Sequence, residues 1–471
     1  MTSTTARTDP GPALLAVLVP AMLATVVASD MVNLMLPSIG AEFGASEAEL
    51  AWVVTGFLLV FAVGVPFYGR VSDRVGLRNL FAFALLPFAA GSLVCALAPA
   101  LPVLVLGRIV MGVGAAAIPV LSIIAVTRLL PAARRGSGIG TVSATTGVGT
   151  AAGPALGGGI GQLMGWPALF WLMVAVALVL LPAAWRVLPG DPPAGAGRFD
   201  VLGGIFLGTG AGLALHGTTQ AQVAGFSAPS SWGSLAVAAV ALALFTWRTV
   251  RVSQPFVPPA LFVNRVYRSA VGVAFLAMTV NLGALVFVPL LVVDVNGLAP
   301  GAGALVMIPA GAAVALLSPL IGRIADRIGT RPLVLAGLAG MGLFALVLST
   351  FTGGASVVPA GIGMLGLGAG FILVMTPIIS AAAGALPPDQ VGVGLGILQG
   401  AQFLGAGAGP ALLGVLVSAR EHSGAAVNPL FLAPQGVAYS DAFLAMAAVT
   451  ALALVVAFHA SRGAAMRPID T

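Results

Sequence analysis

Fourteen apolar runs follow one another along this chain, separated by short segments that hold nearly all of its charge. They lie at 12–38, 49–69, 79–98, 102–126, 137–163, 166–187, 201–218, 232–249, 268–292, 302–321, 332–351, 357–378, 390–418 and 438–459. About 20 apolar residues in a helix cross a hydrocarbon core, so each run is long enough to span a bilayer. Of the 471 residues 59% are hydrophobic and only 7% charged, whereas soluble domains carry about 25% charge. A water-soluble enzyme with an ordinary surface is therefore excluded. A transmembrane β-barrel would show alternating segments of about ten residues, and these runs do not alternate. The sequence predicts an all-α polytopic membrane protein with 14 transmembrane helices.

The arginines orient it, because positive charge collects in cytoplasmic loops. All 20 basic residues are Arg; with the N-terminus inside, only Arg420 falls outside, Arg108 falls well inside a span, and the rest lie in or at the edge of cytoplasmic loops. An even number of spans with both termini cytoplasmic follows, and Glu42, Glu47 and Glu49 make the first external loop acidic. The first run exceeds a signal-peptide core and reads as a retained helix. The net charge of +6 belongs to the inner loops rather than to a nucleic-acid surface. A single cysteine, Cys95, excludes an intramolecular disulfide and a Cys-based zinc site, and no metal site is expected.

The chain repeats itself. Gly69-Arg70-Val71-Ser72-Asp73-Arg74-Val75-Gly76-Leu77-Arg78 returns as Gly322-Arg323-Ile324-Ala325-Asp326-Arg327-Ile328-Gly329-Thr330-Arg331, an offset of 253. Gly149-Thr150-Ala151-Ala152-Gly153-Pro154 returns as Gly405-Ala406-Gly407-Ala408-Gly409-Pro410 at 256, and Gly112-Val113-Gly114 as Gly366-Leu367-Gly368 at 254. Two six-span units are expected, 1–187 and 268–471, with 188–267 a linker holding two additional spans. Paired bundles with a site between them are the plan of transporters in which one half rocks against the other.

These motifs resemble the major facilitator superfamily, in particular its fourteen-span drug:proton antiporters. The segment Gly69–Arg78 is similar to the superfamily loop G-x-x-x-D-R-x-G-x-R. The resemblance implies a cytoplasmic gate made by Gly69, Asp73, Arg74, Gly76 and Arg78 with Asp326 and Arg327 of the second copy, holding the outward-open state. Arg108-Ile109-Val110-Met111-Gly112-Val113-Gly114 is similar to R-x-x-Q-G-x-G, with Met111 in the Gln position. Gly149, Gly153, Pro154, Gly157 and Gly158 match the antiporter motif that the family associates with export. The pattern is similar to that of the Gram-positive tetracycline exporters, through Met31 to Pro37, Trp52-Val53 and Pro255-Phe256-Val257-x-Pro259. It departs from them at Thr150 and Ala406, where that subgroup has acids, which puts tetracycline–metal exchange in doubt.

Asp30 stands inside the first run and Arg108 inside the fourth, at similar depths. Buried charge of this kind faces a cavity or a counter-ion. Asp30 and Arg108 are the expected proton-coupling pair, with a plain structural ion pair as the alternative; the family's usual acid aligns nearer Ala28. Asn33, Trp52, Asn281, Gln399 and Gln402 are the candidate cavity residues, although helix-to-helix hydrogen bonds would use the same side chains. No catalytic residues are expected. No G-x-x-x-x-G-K-[ST] loop is present, so the expected energy source is the proton gradient, with no cofactor. The expectation is a monomeric multidrug or antibiotic efflux transporter of the bacterial plasma membrane, not an enzyme. Its expected partners are a small amphiphilic drug or natural product, protons and lipid, with no nucleic acid. A proton-coupled importer and a non-transporting scaffold stay open as alternatives.

Overall fold

The computed structural model describes residues 10–32, 35–190, 200–225, 227–298, 300–353, 356–421, 425–431, 433 and 435–461. Their helices are α1 (Pro10–Asp30), α2 (Leu36–Phe43), α3 (Glu47–Ser72), α4 (Leu77–Ala96), α5 (Leu101–Ala115), α6 (Ala117–Leu129), α7 (Ala132–Met164), α8 (Trp166–Val187), α9 (Val201–Ala224), α10 (Pro229–Arg251), α11 (Ala260–Val263), α12 (Arg265–Asp294), α13 (Pro300–Ile328), α14 (Thr330–Phe351), α15 (Val358–Gly384), α16 (Val391–Arg420) and α17 (Val437–Ser461). Among the described residues thirteen helical segments are long and apolar enough to cross a membrane, α5 and α6 counting as one. The Gly- and Thr-rich α7 is not among them, but its 33 residues extend about 50 Å at 1.5 Å per residue, and it packs lengthwise inside the molecule.

Local chemistry sets where these helices begin and bend. Ser46 and Glu49 form a reciprocal capping box at the start of α3. Asn264 accepts from the N–H groups of Val266 and Tyr267 to start α12. The run 101–129 bends at Ala116, where Pro119 cannot donate back into the preceding turn. Single glycines with positive φ, Gly165 at 80° and Gly329 at 85°, turn α7 directly into α8 and α13 into α14.

The first span differs from its expected form. The run 12–38 reads as one helix, but α1 ends at Asp30 and the chain restarts as α2 with Pro37 in its first turn. Proline has no N–H to bond back four residues and fits only near a helix start. Asp30 therefore stands at a break in the first span rather than midway along a continuous helix.

Each bundle is built from neighbours in its own half: α4 packs on α5 and α8, α1 on α7 and α8, α14 on α15 and α17, and α12 on α16 and α17. Two seams join the halves, α7 along α13 and α3 along α16. The repeat relates them, since α3 and α13 carry the two copies of the Gly-Arg loop and α7 and α16 the two copies of the Gly-Pro motif. The extra hairpin α9–α10 lies over the second seam. Gly208 and Gly212 of α9 face Val63 and Leu59 of α3, and Gly407 of α16 faces Leu215 of α9. Its base is tied down by the Arg248–Asp200 ion pair at 2.6 Å and by Phe256, which packs 5.2 Å from the Phe67 ring centroid.

Candidate transport site and seam contacts

The glycines of α7 recur every four residues, which places them on one helix face. That face is the bed for α1 and its break. A Cβ on Gly149 would meet Val26 at 2.7 Å and one on Gly153 would meet the Asp30 Cβ at 2.9 Å. At Gly157 it would fall on the Met31 carbonyl oxygen, and at Gly161 on the Met35 thioether. Main chain thus lies against main chain where the first span interrupts. The side chains of Pro154 and Gly158, and Asn33 as a whole, lie outside the described residues. In the second half Gly405 and Gly409 face the carbonyls of Phe275 and Thr279 in the same way. The position equivalent to Gly157 is Leu413, which packs on Gly283, and α12 runs on without a break.

Arg108 is fully buried. Its Nε donates to the Val53 carbonyl at 2.9 Å and its Nη1 to the Ala28 carbonyl at 2.8 Å. The guanidinium carbon sits 4.2 Å from the Phe57 ring centroid, within cation–π range. Nη2 has no hydrogen-bond partner among the described residues. The side chain thereby ties α5 to α1 and α3. No ion pair joins it to Asp30 among the described residues, so the plain ion-pair alternative does not describe this structure. Arg108 holds the carbonyl of Ala28, two residues before Asp30, instead of the carboxylate.

From Arg108 an aromatic row leads to the α3–α16 seam. Phe57 stacks on Phe61 at 5.9 Å, and Phe61 meets Phe403 of α16 edge-on at 5.0 Å. Gln399 is buried and Gln402 half-buried beside this row, and the Gln402 Nε2 has no partner among the described residues. Asn281 is half-buried on α12. Trp52 turns away from the others and stacks on His216 of α9 at 5.8 Å, against the inserted hairpin. Phe403 was not singled out by sequence, because one phenylalanine in an apolar run carries no signal of its own.

At one end of the molecule both seams are closed by the repeated aspartates. The Asp73 carboxylate accepts from the N–H groups of Gly392 and Val393, each at 2.8 Å. These are the second and third residues of α16, whose N–H groups have no partner in their own helix and whose helix end favours an anion. Arg128 Nη2 pairs with the same carboxylate at 2.8 Å. Burial pushes the Asp73 carboxyl up to about 6, while the Val393 N–H, Arg128, the Gly392 N–H and Arg70 pull against it. Asp326 repeats the contact across the other seam, accepting from Gly136 at 2.8 Å and Ser137 at 2.9 Å. Backbones touch beside both contacts: a Cβ on Gly69 would lie 2.8 Å from the Gly396 Cα, and one on Gly322 would fall on the Gly136 carbonyl.

Gly76, Arg78 and Arg327 are placed differently. Gly76 caps α4. Arg78 donates from Nε to the Leu188 carbonyl at 2.7 Å, inside its own bundle. Arg327 is exposed in the last turn of α13. The receivers of the two aspartates were missed by sequence, although Gly136 and Gly392 share the offset of 256 that relates Gly153 to Gly409.

Asp326 has no ion-pair partner among the described residues, and the position equivalent to Arg128 is Ala382. Asp73→Asn is therefore expected to loosen its seam more than Asp326→Asn. Hydrogen bonds to charged groups are worth about 1.5–3 kcal/mol, enough to shift an open–closed equilibrium about tenfold or more. Spin labels at Val75 and Ile328, both exposed, check this: the longer-distance population grows more in Asp73→Asn. Equal growth in the two variants would remove the role given to Arg128.

The helix count, the repeated seams and the interior charges define a multi-pass membrane transporter fold. The family profile described as Major Facilitator Superfamily matches residues 18–410 and 311–470, and the chain belongs to that superfamily. It is 31% identical over 392 residues to the multidrug resistance protein Stp of Mycobacterium tuberculosis (strain CDC 1551 / Oshkosh), covering 83% of this chain and 72% of that one. It is also 31% identical over 422 residues to the tetracenomycin C resistance and export protein of Streptomyces glaucescens, covering 88% and 77%. Among solved structures the human organic anion transporter MFSD10 superposes with a TM-score of 0.67 at 16% identity, covering 96% of this chain and 100% of that one. The proton:xylose symporter XylE superposes with 0.65 at 17% identity, covering 95% of each. At such identities the structures establish the fold alone.

Proposed function

We propose that this chain is a proton-coupled efflux transporter of the bacterial plasma membrane, expelling a small amphiphilic drug or natural product as protons enter. The observation that carries the reading is Asp30 at the break in α1, bedded on the glycine row of α7 with the buried Arg108 anchored two residues away. A carboxylate there can hold a proton or a cationic group but not both, so proton uptake displaces substrate and substrate binding expels the proton. Arg108, fixed by two carbonyls, supplies a constant positive field that weakens the hold of Asp30 on either cation. The names of the relatives, multidrug resistance and tetracenomycin C export, support an amphiphilic cargo.

In this reading 1–187 and 268–471 are the rocking units and the hairpin in 188–267 rides on the α3–α16 seam. The end that carries Asp73 and Asp326 faces the cytoplasm, both termini lie on that side, and the closed seams describe the outward-facing half of the cycle. The chain works as a monomer without a cofactor, driven by the proton gradient. Transport of ethidium and of tetracenomycin C into inverted vesicles under an imposed proton gradient tests it. Wild-type accumulation is expected to collapse with a protonophore and to fall to background in Asp30→Asn. Accumulation that survives both treatments would refute proton coupling at this carboxylate.

A further inference from the structure

A concave feature lies on the outer wall of the first bundle, lined by residues other than Asp30 and Arg108. Between α4 and α8 runs a groove of about 720 Å³, walled by Phe83, Leu86, Leu181 and Pro182 and reaching Trp185. Phe83, Leu86 and Trp185 are 56%, 54% and 52% exposed on two helices that each cross the membrane. The medium that covers them is therefore lipid. An apolar groove of this kind accepts any acyl chain and by itself selects none.

One end of the groove is polar. Asn79 and Arg186 line it, and the Arg78 guanidinium lies 6.0 Å from the Trp185 ring centroid. The bond from Arg78 to the Leu188 carbonyl fixes its side chain beside Trp185, next to that end. Among the described residues no carboxylate pairs with Arg78 or Arg186. Both arginines belong to the end of the bundle that carries Asp73, and Trp185 stands where tryptophans collect, at the boundary of hydrocarbon and headgroups.

We propose that this groove binds one anionic phospholipid. Its phosphate is held by Arg78, Arg186 and Asn79, and an acyl chain lies along Phe83, Leu86 and Leu181. The chemistry is that of basic pockets between transmembrane helices, which take anionic headgroups, and guanidinium groups match phosphate oxygens in forked pairs. A lipid seated there would brace the start of α4 directly after the Asp73 loop. The site is independent of which compound is carried and of the direction of transport.

Native mass spectrometry of the full-length protein, titrated with phosphatidylglycerol or with phosphatidylcholine of the same chains, tests the site. Phosphatidylglycerol is expected to be retained in preference to phosphatidylcholine. Arg186→Gln should weaken that retention about fivefold, the factor one basic side chain contributes beside an anionic headgroup. Arg251→Gln is the control: that guanidinium lies 4.8 Å from the Trp247 ring centroid at the end of α10, away from α4 and α8, and retention should not change. Glycerol phosphate, which carries the charge without the chains, should not displace the lipid. Equal retention of the two lipids, wild-type retention by Arg186→Gln, or displacement by glycerol phosphate would each overturn the proposal.

Discussion

Arg108→Ala is expected to destabilise the protein by about 2–5 kcal/mol, the range for truncating large buried side chains, and to abolish transport. The guanidinium fills space against Phe57 and ties the carbonyls of Ala28 and Val53 together, so its loss leaves a cavity and unties three helices. Arg108→Lys should not rescue either property, because one compact, strongly hydrated ammonium cannot replace the flat fork that reaches both carbonyls. Arg108→Met separates the two roles. Met refills the space beside Phe57 but makes neither hydrogen bond, so this variant should recover part of the stability that Arg108→Ala loses while still failing to couple transport to protons. Wild-type coupling in Arg108→Met would reduce Arg108 to a packing element.

Gly322→Val is expected to pry open the α7–α13 seam. A Cβ at that position would fall on the Gly136 carbonyl, and Gly140 and Gly147 further along α7 leave no more room against α13. The helices must separate at the end where Asp326 bonds Gly136 and Ser137, so both bonds are lost together. Over-packing of this kind costs about 1–3 kcal/mol, which shifts the closed–open equilibrium by about fivefold to a hundredfold. Spin-label distances between Val75 and Ile328 should lengthen, and transport should fall to background. Gly361→Val, where a Cβ has open space, is the matched control and should transport normally. A closed seam in Gly322→Val would show that the backbone contact does not govern closure.

How much of this was legible in the sequence depends on which physical signal each feature leaves. The helices and their repeat leave strong ones, apolar length and a common offset, and the all-helical membrane fold follows from them. The break after Asp30 was hidden by the apolar Met31, Val32, Met35 and Leu36, which continue the hydropathy of α1; Pro37 was the one mark of a fresh start. Asp73 and Asp326 announced themselves by spacing, but their receivers are backbone N–H groups, which no side chain advertises. Arg128 read as one more positive anchor, because the folding of α6 against the end of α3 decides its pairing. Trp52 was placed in the cavity from its span alone. Its partner His216 comes from the inserted hairpin, whose seat over the α3–α16 seam follows from packing of Gly208, Gly212 and Gly407 and from no local pattern.

The central claim is that proton and substrate compete at Asp30, and the most direct measurement is substrate-induced proton release. Purified protein in weakly buffered solution is mixed with ethidium or tetracenomycin C while pH and binding are followed together. Release of protons on binding to the wild type, absent from Asp30→Asn that still binds the compound, is the result the account predicts. Binding to the wild type without proton release, or equal release from both proteins, would contradict it.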